Sequence, residues 1–192
     1  MKIEIEQKLE TLYDLFVDNF GTLETEIKDL IYNPSKIQDT NKFASLLTTL
    51  NYTTFINPLL HTISLSNKGD IWLTDFLYAA INLFEESSIN DEFEIPEQLI
   101  DKLQVWVLDN KGEIAWKAAH LLKFYETESA AVIQMKKLEE RGDFFLTYAE
   151  CILGLLHYNK DKYIELVKQI AADDSRDIKL REFAEEAYQN YH

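Results

Sequence analysis

The sequence predicts an all-α fold, and three observations lead to that prediction. The 192-residue chain holds only five glycines and three prolines, the residues that most often interrupt helices. Apolar residues recur along most of the chain at spacings of three and four, which is the period of one helix face. A short phrase (basic residue, glycine, acidic residue, apolar residue) recurs before several apolar segments. Together these features favour about 10–11 helices arranged as repeated pairs.

We call this phrase the turn phrase; it has three close copies and one weaker copy. The copies are Lys68-Gly69-Asp70-Ile71, Lys111-Gly112-Glu113-Ile114, Arg141-Gly142-Asp143-Phe144 and Ser175-Arg176-Asp177-Ile178. An acidic side chain is favoured at the start of a helix, where the macrodipole is positive. Each copy therefore predicts that an apolar helix begins there.

The N-terminal half contains five predicted helices. They span Ile3–Phe20, Leu23–Tyr32, Ser35–Leu50, Thr54–Leu65 and Ile71–Glu86. Gly21 is the predicted end of the first helix and Thr22 the predicted cap of the second, because glycine and threonine favour those positions. Ser35 is the predicted cap of the third. Pro58 indicates that the fourth helix either begins later or is kinked, since proline is tolerated only in the first turn.

An acidic segment separates the two halves of the chain. Six of the 13 residues from Glu85 to Glu97 are acidic, and none is basic. The composition predicts a solvated loop or hinge between an N-terminal helical part, residues 1–95, and a C-terminal part, residues 96–192. Two alternatives stay open: the segment is an acidic docking surface, or the two parts form one continuous domain.

The C-terminal half contains six predicted helices that group as three pairs. They span Glu97–Leu108, Ile114–Tyr125, Ala130–Glu140, Phe144–Tyr158, Tyr163–Ala172 and Ile178–Tyr191. The second helices of the pairs align at Ala119, Ala149 and Ala184, which are 30 and 35 residues apart. Small residues at these points predict that neighbouring helices approach closely.

The segment Leu180-Arg181-Glu182-Phe183-Ala184 resembles the apolar–Arg–x–x–Ala phrase of HEAT repeats. The acidic residue near the start of each second helix, at Glu113, Asp143 and Asp177, is also similar to the turn of that family. The likeness covers about half of the chain, and Trp116-Lys117 departs from the arginine step. The resemblance implies a HEAT-like α-solenoid with a concave face that binds proteins or peptides. The alternative fold is an irregular helical bundle.

The net charge of the chain limits the classes of partner that we expect. The chain carries 34 acidic and 19 basic residues, a net charge of −15. Phosphate backbones and anionic membranes repel such a chain, so we expect neither nucleic acid nor a membrane as a partner. The charge suits a basic protein, although solubility alone is an alternative explanation. The acidic N-terminus and the lack of an apolar run of about 18–20 residues predict a cytoplasmic protein. Many Lys, Ile and Asn with few Arg suggest a bacterial source.

The sequence contains no motif that would carry chemistry. The HExxH, CxxC, EF-hand, GxSxG, P-loop and GxGxxG patterns are all missing. Cys151 is the only cysteine and lies in an apolar run, which predicts a buried thiol. His120 is interpreted as a hydrogen-bonded helix residue at a surface or core edge. We therefore expect no enzyme activity, no catalytic residue, no cofactor and no metal ion.

The candidate site is a protein-binding surface made of the acidic residues of the turn phrase, tyrosines of the second helices, and the acidic linker. These residues are Glu113, Asp143, Asp177, Tyr148, Tyr188, Asp91, Glu92 and Glu94. The most concrete expectation is an immunity or antitoxin-like protein that neutralises a basic toxin such as a nuclease. The alternatives are a scaffold for several host proteins or peptides, and an enzyme with an unfamiliar site. Polar residues gathered around His120 or His157 in a closed pocket would be the sign of the enzyme.

Overall fold

The computed structural model describes residue 11 and residues 19–87, 96–109 and 111–192. Over these residues the chain is helical and contains no strand, which confirms the all-α prediction for this part. We number the helices in chain order as α1 (residues 19–32), α2 (Thr40–Leu50), α3 (Ile56–Leu65), α4 (Leu73–Glu86), α5 (Glu97–Asp109), α6 (Glu113–Leu122), α7 (Glu128–Glu139), α8 (Phe145–Ala172) and α9 (Ile178–Tyr191). Short 3₁₀ turns occupy Pro34–Lys36 and Thr53–Phe55.

The predicted helix end at Gly21 is wrong. Helix α1 runs through Gly21 and Thr22 without a break, while most of the predicted helix Ile3–Phe20 lies outside the described residues. A glycine inside a helix costs only about 1 kcal/mol relative to alanine. Burial of Ile27 and Ile31 on the inner face of α1 is enough to offset that cost.

Two other helix starts are set by local geometry. Ser35 lies in a 3₁₀ turn, and the cap of α2 is instead Asp39, whose Oδ1 accepts a hydrogen bond from the Lys42 N–H at 3.0 Å. Pro58 is the third residue of α3. The first-turn N–H groups of a helix have no intrahelical acceptor, so a proline there loses no bond. The later start of this helix is therefore confirmed.

Helix α8 consists of two helical segments, as the sequence predicted. Asn159 interrupts the helical backbone with φ −160° and ψ 90°. Its side-chain oxygen accepts a hydrogen bond from the Lys162 N–H at 3.0 Å, which is how asparagine caps a new helix. We call the first segment, residues 145–158, α8a and the second, residues 160–172, α8b.

Each helix packs mainly against its close neighbours in the chain. Helix α3 lies on α4, α5 on α6, α7 on α8, and α8 on α9. Helices two positions apart also touch: α2, α4, α6 and α8 form one series, and α3, α5 and α7 form another. The contacts of α3 with α5 and of α4 with α6 join the parts on either side of residue 95.

A connected cluster of buried apolar side chains runs through the stack from Ile27 to Ala187. The three alanines used to align the second helices, Ala119, Ala149 and Ala184, are all buried. Each large side chain removed from water contributes roughly 1.5–3 kcal/mol, so this core holds the helices together.

Candidate functional site

In two copies of the turn phrase, the glycine has a backbone conformation with positive φ. Gly112 has φ 72° and Gly142 has φ 78°, values that side chains with a Cβ rarely adopt. Gly112 immediately precedes α6, and Gly142 lies three residues before the first residue of α8. The same kind of turn therefore recurs in the second and third copies of the phrase, whereas Gly69 of the first copy does not have a positive φ.

Asp143 joins two of these turns. Its Oδ1 accepts hydrogen bonds from the Gly112 N–H at 2.8 Å and the Phe144 N–H at 2.6 Å. Its Oδ2 lies 2.7 Å from the ammonium of Lys137, and both side chains are fully buried. The side chain of the predicted site residue Asp143 is thus part of the interior, and its contact with a partner stays a prediction.

The buried ammonium of Lys137 has a second carboxylate partner, Glu140, at 2.9 Å. Burial acts to lower the pKa of Lys137, but the hydrogen bonds to Asp143 and Glu140 outweigh it and raise that pKa. The lysine is therefore held in its charged form between α7 and the turn before α8.

The other two acidic residues of the predicted site also have partners within the chain. Glu113 is exposed and lies 2.7 Å from the ammonium of Lys117, which also donates a hydrogen bond to the Thr74 carbonyl of α4 at 2.9 Å. Asp177 caps α9 by accepting a hydrogen bond from the Lys179 N–H at 2.8 Å. Contact of these two exposed residues with a partner stays a prediction.

A cleft of about 560 Å³ lies between the turns that precede α8 and α9. It brings together three predicted site residues, Asp143, Tyr148 and Asp177. The buried Tyr148 hydroxyl accepts a hydrogen bond from the Asp143 N–H at 3.1 Å. The cleft also contains three cations that the sequence reasoning missed: Arg141, Arg176 and Lys179. The available signal was the turn phrase, whose third and fourth copies contain the two arginines.

The remaining predicted site residues lie elsewhere. Tyr188 is half-buried on α9, with the Lys168 ammonium 5.2 Å from its ring centroid. The linker residues Asp91, Glu92 and Glu94 lie outside the described residues. Of the predicted site residues that the structure describes, three line the cleft, Glu113 and Tyr188 are not among its lining residues, and the linker contribution stays a prediction.

Four ionisable side chains meet where α4, α6 and α8a pack. The ring of His120 lies between two carboxylates, with Nε2 2.8 Å from Glu85 and Nδ1 2.8 Å from Glu150. The Lys123 ammonium is 3.0 Å from Glu150 and 3.8 Å from Glu85. Burial acts to raise the pKa of Glu150, but its contacts with His120 and Lys123 outweigh burial and lower that pKa.

This cluster joins three helices through mutually compensating charges. Three of its side chains are almost enclosed, at 9% exposed for Lys123 and 11% for His120 and Glu150, whereas Glu85 is 47% exposed. Polar residues around His120 were the sign expected of an enzyme. The cluster is present, but none of its members lines the cleft before α8 and α9 or the two smaller clefts of α7–α9.

An acidic groove of about 400 Å³ runs between α8b and α9. Three exposed glutamates of α9, Glu182, Glu185 and Glu186, line it together with Arg181 and Gln189, and Ala171 and Ile178 add apolar surface. The spacing of the glutamates places them along one side of the helix. This groove presents the densest negative charge of the clefts described here.

Within the described residues, no group of three or more His, Cys, Asp or Glu side chains is arranged to hold a metal ion. None of the helices in the described ranges combines the length and hydropathy of a membrane span. No protein-family model, curated protein or solved structure matches the chain.

Proposed function

We propose that this chain is a non-enzymatic, acidic protein-binding module with a HEAT-like α-solenoid architecture. Its most concrete form is an immunity-type inhibitor that neutralises a basic toxin such as a nuclease. The observation that carries the proposal is a net charge of −15 on a stack of helix pairs, with an acidic groove along α9.

The packing order supports a solenoid. The principal helix contacts join elements no more than two positions apart in the chain, which is the contact pattern of stacked repeats. The bond from the Gly112 N–H to Asp143 links the turns of consecutive pairs. Three helix pairs in the C-terminal half, α5 with α6, α7 with α8a and α8b with α9, then continue the stack begun by α3 and α4.

The groove of α9 supports a basic partner. Lysine and arginine pack their aliphatic stems on apolar surface while their charged ends seek carboxylates. Ala171 and Ile178 offer the apolar surface, and Glu182, Glu185 and Glu186 offer the carboxylates. We infer that this groove belongs to the surface that captures the toxin.

An acidic inhibitor of this kind works by occupation. Its field accelerates encounter with a basic protein, and association can reach about 10⁸–10⁹ M⁻¹s⁻¹ at low salt. Once bound, its carboxylates take the place of the phosphate groups that a nuclease would bind. This inhibition needs no covalent chemistry, so one bound chain per toxin molecule is sufficient to block activity.

Growth rescue tests the proposal. The proposal predicts that a neighbouring gene encodes a larger protein with a basic C-terminal region; that region would be co-expressed with the chain, and colony growth would be measured. We expect rescue by the native chain and loss of rescue by the variant Glu182→Gln/Glu185→Gln/Glu186→Gln. The matched control Glu126→Gln/Asp161→Asn/Glu165→Gln changes three exposed acidic residues elsewhere and should rescue growth. Failure of the native chain to rescue would contradict the proposal.

A further inference from the structure

The cleft between the turns preceding α8 and α9 has an open aromatic wall. Phe144 is 44% exposed. Its ring makes edge contacts with Trp116 at 6.2 Å and with Phe145 at 5.6 Å between centroids. The wall is therefore held in place by neighbouring rings while one of its faces stays open to solvent.

Cations surround this wall. The Arg141 side chain is 50% exposed, and the ammonium of the exposed Lys179 lies 5.6 Å from the centroid of the Phe145 ring. Arg176 is only 9% exposed and donates to Asp173 through Nε and to the Leu138 carbonyl through Nη2. Its Nη1 is buried and has no hydrogen-bond acceptor among the described residues.

The carboxylates at or beside the cleft are partly engaged within the chain. Asp173 is shared by two guanidinium groups, at 3.3 Å from Arg141 and 3.4 Å from Arg176. The carboxylate of Asp143 is paired with the buried Lys137, and that of Asp177 accepts the capping hydrogen bond of α9 while keeping its charge. The cleft lining itself carries three cations and two carboxylates, in a chain of net charge −15.

We propose that this cleft is a docking site for a segment of a partner protein that carries a carboxylate next to an aromatic side chain. The carboxylate pairs with Arg141 and Lys179, where a charge-assisted hydrogen bond is strong. The aromatic side chain packs on Phe144 and Phe145. The volume of about 560 Å³ falls within the usual range for a binding pocket. This site is separate from the acidic groove of α9, so it does not depend on the proposed inhibitor function.

The probe is the acetylated, amidated heptapeptide Gly-Ser-Phe-Glu-Phe-Ser-Gly, followed by amide chemical shifts of the isotope-labelled full chain. We expect saturable shifts at residues 141–148 and 175–180. The analogue with Gln in place of Glu should bind about tenfold more weakly, because it loses the charge-assisted bond. Inorganic phosphate serves as a third ligand and reports whether charge alone is sufficient.

Matched variants localise the effect. The double variant Arg141→Gln/Lys179→Gln should weaken binding of the Glu peptide about tenfold. The control Lys160→Gln/Lys162→Gln removes two exposed lysines elsewhere and should leave binding unchanged. Thermal melting of each variant checks that the fold is kept. The proposal is overturned by the absence of saturable shifts up to about 5 mM peptide, by equal affinity for the Glu and Gln peptides, by tighter binding of phosphate than of the peptide, or by no effect of the double variant.

Discussion

Lys137 is a buried charged residue with two carboxylate partners. Its side chain is fully buried, and so is that of Asp143, 2.7 Å away, whereas the second partner, Glu140, is 38% exposed. Removing Asp143 takes away the fully buried counterion of Lys137 in a medium of low polarity.

We therefore predict that Asp143→Asn lowers the free energy of unfolding by about 3–5 kcal/mol. Urea unfolding followed by circular dichroism measures the change. The matched control is Asp174→Asn, whose side chain is 94% exposed and which should change stability little. Equal effects of the two substitutions on the free energy of unfolding would show that the buried pair stabilises the chain no more than an exposed charge does.

Glu150 makes the stability of the chain depend on acid pH. The pKa of this carboxylate is lowered in the folded chain from a model-compound value of 4.5. Its contribution is therefore complete above that value and is lost as pH falls through the lower, folded-state pKa.

The variant Glu150→Gln should be less stable than the native chain by about 2 kcal/mol near neutral pH. The gap between the two should narrow as pH falls below about 4.5, because the protonated carboxyl no longer pairs with His120 and Lys123. Urea unfolding at several pH values measures the gap, with the exposed Glu182→Gln as the control for net charge. A gap that stays constant from pH 7 to about pH 3.5 would contradict the prediction.

The reactivity of the Cys151 thiol reports how well the packing around α8a excludes solvent. The thiol is fully buried, and burial raises its pKa well above the usual range. We expect almost no reaction with an aromatic disulfide reagent in the native chain at pH 8 and complete reaction in urea, because the thiolate is the nucleophile. Absorbance of the released thiolate follows the reaction. Rapid stoichiometric labelling of the native chain would mean that α8a opens readily.

At the residue scale, the sequence predicts what depends on neighbours in the chain. The cap Asp177 and the buried Cys151 follow from position and local hydropathy. The burial of Asp143 does not, because its partner Lys137 belongs to a residue type that is seldom buried. The contacts of His120 with Glu85 and Glu150 could not be predicted either, because these partners lie 35 and 30 positions away in the sequence. Only the register of the helices brings them together.

At the element scale, the close approach of α7 and α8a depends on Gly154. A Cβ added at this position would overlap the side-chain amide of Gln134, which is itself 1% exposed. The amide has little room to move, so the contact requires a residue without a side chain.

Gly154→Ala should therefore destabilise the chain by about 1–3 kcal/mol. Adding Gln134→Ala should recover most of the loss, because it removes the overlapping amide, and a double-mutant cycle on unfolding free energies measures this coupling. The control Gly21→Ala lies in α1, where nothing stands within 4 Å of the new Cβ, and should be neutral or stabilising. Additive effects of the two substitutions at Gly154 and Gln134 would contradict the described packing.

Helix existence was predictable from apolar periodicity, whereas several helix ends were not. Gly21 and Ser35 are common residues at helix ends, but α1 continues through the first and Asp39 caps the helix after the second. Asn159 divides α8 because its side chain can take the place of a backbone acceptor. These choices depend on single hydrogen bonds of about 1 kcal/mol, too small for a pattern of residue types to decide.

At the scale of the whole molecule, the recurring turn phrase predicts that helices form pairs. The sequence did not predict whether the helices on either side of residue 95 pack together, as α3 does on α5 and α4 does on α6. The acidic composition of the linker says nothing about how the flanking helices pack. The cationic cleft before α8 and α9 was missed for a related reason. Net charge describes the whole chain, and it conceals a local excess of the opposite sign.

The central claim, capture of a basic partner, is tested most directly by affinity purification from native cells. The immobilised chain would be exposed to extract at low and at moderate salt, and retained proteins would be identified and quantified by mass spectrometry. We predict one basic partner at 1:1 stoichiometry that survives moderate salt, because a specific interface adds packing to screened charge. Many weakly held proteins, or no protein above background, would contradict the inhibitor function.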